Sequence, residues 1–410
     1  MTGTNINCFI RNDFAENAFQ INDGLRETAS CGNTVAYDSK YGLVFALYHT
    51  GLPGAYGESE GILRLSIFPP KQPWNARHVT LDTGVGLSRG LLCQALYLTG
   101  NAKVRALFLT DRGRELTGFY RDYDYFADKV SERQPLYLRV GGEDLRLNNA
   151  SYTRYIESQG YSLAPAAIEA ASPEEYALIK NNKPTLNDPA QTPIINRVTE
   201  FNGELYTAVV LKGINYPVLC RIREDVLYPF AVCPFLNIFE FRYYVDNTGI
   251  HGVYRLPYQD TGTGRCGYVH SADSGKTWEK TVFPDSIQSR PDILPYYGKP
   301  LIIYNYQSSK PEENYPPIHH HRNAIKMLYQ DQTVFDACSK YGIVEPEVIN
   351  ICGDLYMVFS NCEQGLMFVN NTAWVEDGKK VENGKEKSNW IKLGCLSDTG
   401  NADIWQTMHT

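Results

Sequence analysis

Apolar residues in this chain come in short runs punctuated by Gly, Asn and Asp, with few stretches at helical period. The runs include "GLVFALYH" (42–49), "ILRLSIF" (62–68), "LLCQALYLTG" (91–100), "VRALFLTD" (104–111) and "GELYTAVVL" (203–211). They continue with "FEFRYYV" (239–245), "IHGVYRL" (250–256), "KPLIIYNY" (299–306), "DLYMVFS" (354–360) and "GLMFVNN" (365–371). Runs of this length, rich in β-branched and aromatic residues and bounded by turn formers, predict β-strands. One segment differs. In "APAAIEAASPEEYALIKNNK" (164–183), Ser172 stands before Pro173, Glu174 and Glu175. A capping serine, a proline in the first turn and early acids predict a short helix over about 173–181, inside an inserted loop at about 164–191.

The strand pairs repeat, and Asp–x–Gly turns recur at Asp111–Arg112–Gly113, Asp273–Ser274–Gly275 and Asp398–Thr399–Gly400. Short β-units repeated at intervals of tens of residues predict an all-β chain folded as a β-propeller, six-bladed with seven blades as the alternative. The expected organisation is a single propeller domain over 1–410.

Composition narrows the partners. Hydrophobic residues make up 43% of the 410 positions and charged ones 21%, the balance of a globular domain. A formal net charge of −7 argues against nucleic acid as the main partner, because phosphate binding needs a basic face. No run approaches a membrane span in length, so no membrane partner is expected. The 29 Tyr suit strands and also sugar-binding surfaces. The ten Cys lack CxxC or metal-ligand spacing and read as free thiols in a reducing compartment. With no basic and apolar leader at the N-terminus, a cytoplasmic location is expected, unless a leader has been removed. His319, His320 and His321 are consecutive, and neighbouring strand residues point to opposite faces, so no metal and no cofactor is expected from them. Oligomeric state is not legible.

The stretch "SADSGKTW" (271–278) resembles the Asp box of the sialidase (neuraminidase) superfamily, S-x-D-x-G-x-T-W, at every fixed position. Physically it is a tight turn between antiparallel strands. Gly275 supplies a positive φ, Asp273 binds backbone amides, and Trp278 packs on the hairpin. The order of features around it is also similar to that superfamily. Glu240 lies in "NIFEFRYYVDNTGIHGVYR" (237–255) with Arg255 fifteen residues on, then the 271–278 turn, then Arg322 in "HHHRNAIKMLY", then Tyr341 in "SKYGIVEPEV". The likeness covers roughly 235–360.

This resemblance implies an exo-acting glycosidase that releases a terminal sialic acid or related acidic sugar. A guanidinium cluster would hold the sugar carboxylate, since planar two-point hydrogen bonding suits it; Arg255 and Arg322 match two of its members. A carboxylate nucleophile would be repelled by the substrate's own carboxylate, and sialidases use a tyrosine instead. Tyr341 matches that nucleophile and Glu240 the base that takes its proton. The N-terminal part departs from the pattern, with no Arg-Ile-Pro. Arg26 is the preferred candidate for the first arginine, with Arg11 as the other. The loop "YHTGLPGAYGESEG" (48–61) stands where the superfamily carries its acid Asp and offers Glu58 first and His49 second. Two further readings keep the propeller. One is a rhamnosidase or uronate lyase working through His49, and the other is a non-catalytic glycan-binding propeller. Each reading expects a glycan partner; the sialidase-like one expects an acidic terminal sugar.

Overall fold

A computed structural model describes residues 18–22, 29–51, 62–83, 94–100, 102–110, 117–161, 193–211, 216–235, 240–255, 265–286, 289–306, 324–338, 342–362, 375–376, 379–380 and 386–394. The strand expected at 365–371, the helix expected at 173–181, and the turns at 111–113 and 398–400 lie outside these residues.

The fold is a six-bladed β-propeller, so the seven-bladed alternative is set aside. Among the described residues, six sheets of four or more strands follow one another along the chain. The first blade pairs Ala29–Asp38, Leu43–Gly51, Ile62–Phe68 and Arg77–Thr83 in sequence order. The second is built on Gln94–Gly100, Lys103–Thr110 and Thr117–Asp124, with Gln134–Pro135 on its edge. The fourth pairs Glu240–Asp246, Gly249–Arg255, Cys266–Ser271 and Glu279–Phe283. The fifth pairs Asp292–Tyr296, Lys299–Tyr306, Ala324–Tyr329 and Gln332–Cys338. Strands this regular follow from the sequence alternation and from turns that admit left-handed residues, such as Asn202–Gly203 and Tyr297–Gly298.

The third blade is extended. Its hairpins over Glu204–Leu211, Val218–Arg223 and Val226–Val232 are joined on the outside by Tyr137–Val140, which runs parallel to the last of them and pairs Tyr137 with Val226. Between these pieces lies a helix, Asn149–Ser158, that the strand-dominated pattern concealed. Its cap is reciprocal: the Asn148 side chain accepts from the Ser151 amide, and the Ser151 hydroxyl accepts from the Asn148 amide. Tyr152, Tyr155 and Ile156 form its buried face.

The sixth blade joins the two ends of the described chain. Gly342–Ile351, Asp354–Cys362 and Glu386–Gly394 are completed by the N-terminal strand Phe19–Gln20, with Phe19 opposite Trp390 and Gln20 opposite Asn389. A strand borrowed from the opposite end of the sequence covers an edge that would otherwise stand open.

The chain divides into two compact units. One comprises Met1–Tyr56, Arg64–Thr80 and Asp285–Thr410; the other comprises Gly57–Leu63 and Leu81–Pro284. In the second unit, side chains from the second and third blades share one core around Leu107, Val209 and Cys220. The third and fourth blades share another around Ala208, Phe241 and Tyr254. In the first unit, the fifth and sixth blades meet around Tyr296, Ile325, Val348 and Met357. The sixth and first meet around Val35, Ala46, Tyr356 and Val358.

Candidate active site

The inner hairpin of the fourth blade explains the fifteen-residue spacing of Glu240 and Arg255. The strands Glu240–Asp246 and Gly249–Arg255 are joined by a two-residue turn, so the first residue of one is the cross-strand partner of the last residue of the other. The two side chains meet there. Arg255 Nη1 donates to Glu240 Oε2 at 2.7 Å, with the side chains only 9% and 6% exposed. A buried charge of either sign is costly unless paired, and each supplies the other's counter-charge. Two residues along the strand, on the same face by alternation, Arg242 is also buried.

Alternation gives the two faces of this blade different chemistry. Phe241, Tyr243, Tyr254 and Val269 build the apolar face shared with the third blade. The other face carries Glu240, Arg242 and Tyr244, with Arg255 and His251 across the hairpin. Toward the turn, His251 stacks on Tyr244 at 4.9 Å and on His270 at 4.7 Å. Its Nδ1 lies 2.7 Å from the Tyr268 hydroxyl, and its Nε2 lies 2.7 Å from the Thr248 hydroxyl and 3.3 Å from Asp246. Burial, with Asp246 and Tyr268 nearby, pushes the Tyr244 phenol well up. That end of the face carries a hydrogen-bonded network centred on His251, while the strand head carries the ionic pair.

In the first unit, two more blade heads carry charge. Sequence reading missed them, although the signal was there: a charged residue, Pro and an acid occur at Arg290–Pro291–Asp292 and again at Glu345–Pro346–Glu347. Asp292 and Glu347 occupy the same register position, counted back from the hairpin turn, in the fifth and sixth blades. Both are fully buried, and each accepts from the next inner strand of its unit. Asp292 Oδ2 takes the Val348 amide at 2.8 Å. Glu347 Oε1 takes the Val35 amide at 2.9 Å and the Thr34 hydroxyl at 3.0 Å. These carboxylates fasten blade to blade. The preceding charged residues, Arg290 and Glu345, form an ion pair at 3.4 Å with both side chains buried or nearly so. Glu345 sits in a bulge between Val344 and Glu347 with φ of +52°, a left-handed conformation that is disfavoured for a non-glycine residue. Counting back from its turn in the same way, Glu240 stands where Arg290 and Glu345 stand in their own blades.

His49 lies on the strand Leu43–Gly51, opposite Cys31, and is 2% exposed. Burial pushes its imidazole down to about 4, so the ring is neutral at neutral pH. A neutral imidazole can accept a proton but has none to spare as a general acid. Of the other residues singled out in the sequence, Arg26, Arg11, Glu58, Arg322, Tyr341 and the histidines 319–321 lie outside the described residues. Among the described residues, no cluster of three His, Cys, Asp or Glu side chains could hold a metal ion.

The turn at 271–278 is a self-contained hydrogen-bonded loop. Asp273 Oδ1 accepts from the Lys276 and Thr277 amides at 3.0 and 2.8 Å and from the Ser271 hydroxyl at 2.9 Å, and Oδ2 accepts from the Thr277 hydroxyl at 2.6 Å. These donors hold the carboxyl at about 2, well below its usual range. Ser274 and Gly275 take positive φ, and the Trp278 indole donates to the Gly275 carbonyl at 3.0 Å while packing on the core of the third and fourth blades. A carboxylate committed to so many local donors builds a turn; it is not free for proton transfer.

No protein-family model matches the sequence, and no curated protein matches it. Solved structures do resemble it in fold. A sialidase from Trypanosoma rangeli in complex with sialic acid matches 94% of this chain with a TM-score of 0.53 at 11% identity. This chain spans 58% of that sialidase chain. The same sialidase in complex with 2,3-difluorosialic acid, as a covalent intermediate, gives a TM-score of 0.52 at 10% identity, over 94% of this chain and 57% of that one. A Penicillium chrysogenum α-L-arabinanase complexed with arabinobiose matches 92% of this chain and 97% of its own length, with a TM-score of 0.51 at 9% identity. At such identities the likeness is one of fold: a sialidase-like propeller.

Proposed function

We propose that this chain is an exo-acting, sialidase-like glycoside hydrolase that releases a terminal sialic acid or related acidic sugar. The observation that carries the reading is the buried Glu240–Arg255 pair at the head of a propeller blade's inner hairpin. It brings together, in one cross-strand contact, the carboxylate and the guanidinium that the resemblance assigns to proton transfer and to substrate binding. The Tyr341 oxygen attacks the anomeric carbon as its phenolic proton passes to Glu240. The bond to the leaving group breaks, and an acid, Glu58, protonates the departing oxygen. Water then displaces the tyrosine with the proton transfers reversed, and configuration is retained. Arg26, Arg255 and Arg322 hold the sugar carboxylate. The neutral state of His49 makes Glu58 the better acid. The sugar complexes formed by proteins of this fold, with sialic acid and with arabinobiose, support a glycan substrate.

A second reading has an observation of its own. Arg255 and Arg290 each face a protein carboxylate, Glu240 and Glu345. An arginine satisfied in this way has less to offer a substrate carboxylate, and buried acids suit a glycosidase acting on a neutral sugar, as the fold of the arabinanase allows. Steady-state assays with 4-methylumbelliferyl sialoside and with p-nitrophenyl α-L-arabinofuranoside separate the two. Turnover of the sialoside alone supports the first reading. Turnover of the arabinoside alone replaces it with the second.

A further inference from the structure

The loop between the third and fourth strands of the first blade holds an exposed tryptophan rigidly, and nothing in the proposed reaction uses it. Trp74 is 62% exposed. It sits in "PPKQPWNAR" (69–77), where three prolines limit the backbone. The Gln72 amide donates to the Pro69 carbonyl at 2.9 Å, the Asn75 amide to Gln72 at 3.1 Å, and the Ala76 amide to Pro73 at 3.2 Å. The Pro73 ring is buried beneath the loop as an anchor. Beside Trp74 stands Phe19, 48% exposed, on the strand that completes the sixth blade. The two ring centroids are 5.6 Å apart and the rings are inclined at 53°, which leaves an open V of aromatic surface.

The loop residues that flank Trp74 carry amides and cations. The exposed side chains of Gln72 and Asn75 are joined by a hydrogen bond of 3.1 Å, donated by the Asn75 amide to the Gln72 carbonyl oxygen, and each amide has further hydrogen-bonding capacity. Lys71 and Arg77, both exposed, flank them, and 69–77 contains no Asp or Glu in a chain of net charge −7. Large exposed aromatics held in a fixed geometry bind at low entropic cost. Aromatic faces suit the C–H faces of pyranose rings, amides suit their hydroxyls, and the two cations suit a carboxylate.

We propose that Trp74, Phe19, Gln72, Asn75, Lys71 and Arg77 form a second, non-catalytic binding site for acidic glycan chains. The site would hold a polymeric substrate on the surface while its ends are processed. This rests on the reading of the chain as a glycan-active enzyme, and the two can fail separately.

The test is affinity electrophoresis through gels containing sialylated mucin, run with the Tyr341→Phe variant so that the probe is not consumed. Adding Trp74→Ala should weaken retardation by about tenfold or more, and Lys71→Glu should weaken it in a salt-dependent way. In the Tyr341 background, Trp74→Ala should leave kcat and KM for the small fluorogenic sialoside unchanged. An unchanged thermal midpoint for Trp74→Ala shows that the fold is intact; Trp74→Gln serves if it is not. No retardation by sialylated mucin, equal retardation of the Trp74 variant, or equal retardation by desialylated mucin overturns the site. Absence of sialoside turnover, with mucin binding retained, instead overturns the proposed reaction alone.

Discussion

Removing one member of the Glu240–Arg255 pair deprives the other of a counter-charge 2.7 Å away, where neither side chain is more than 9% exposed. Breaking a buried ion pair from one side typically costs about 3–5 kcal/mol, because the remaining charge keeps its desolvation penalty and loses its partner. Replacing both members with apolar residues of similar size is often close to neutral. Glu240→Leu and Arg255→Met should therefore each destabilise the protein by about 3–5 kcal/mol, and the double variant by about 2 kcal/mol or less. Urea unfolding followed by circular dichroism and tryptophan fluorescence measures all three. The reasoning is refuted if each single change costs less than about 1 kcal/mol and the two effects add. Activity separates structure from chemistry: the double variant, refolded and stable, should remain inactive if Glu240 takes the nucleophile's proton.

Three other expectations follow from the same structure. His49 is neutral when folded, its value lowered from 6.5 to about 4, whereas the unfolded chain protonates it below 6.5. Stability should thus fall by up to about 3 kcal/mol as pH drops from 6.5 to 4, and His49→Leu should flatten that slope in urea titrations at several pH values. At Gly275, φ is +90° and an added Cβ would lie 2.6 Å from the Ala231 methyl, so Gly275→Ala should cost about 1–3 kcal/mol; a loss below 0.5 kcal/mol in thermal unfolding would contradict the turn geometry. Glu347→Ala leaves the buried Val35 amide and Thr34 hydroxyl without this acceptor and should cost about 3–5 kcal/mol, while Glu347→Gln, which keeps Oε1, should cost less than about half as much in the same denaturation assay.

The strands were legible because each carries its own signal. "ILRLSIF" spans the observed Ile62–Phe68, and "KPLIIYNY" spans Lys299–Tyr306. Strand pairs closed by short turns also make hairpin contacts readable as spacing, which is why Glu240 and Arg255 could be named together. The helix Asn149–Ser158 was missed because its signal is sparse: an Asn–x–x–Ser cap and three buried apolar positions, Tyr152, Tyr155 and Ile156, within a mostly polar run. The carboxylates Asp292 and Glu347 were missed for a different reason. Their meaning is a bond to the backbone of another blade, and for Glu347 the partner Val35 lies 312 residues away in sequence. The "x-Pro-acid" repeat that marks them says nothing of that partner until the sheets are assembled. Glu345 is similar, since its left-handed φ belongs to a bulge set by the facing strand.

The central claim is that Tyr341 attacks the anomeric carbon of an acidic sugar. Incubation with 2,3-difluorosialic acid tests it most directly, because a tyrosyl adduct can be read by intact mass and located by peptide sequencing. The account predicts a single adduct on Tyr341 that is absent from Tyr341→Phe and slow to form in Glu240→Gln. No adduct on the folded wild-type protein, or an adduct that persists in Tyr341→Phe, contradicts it.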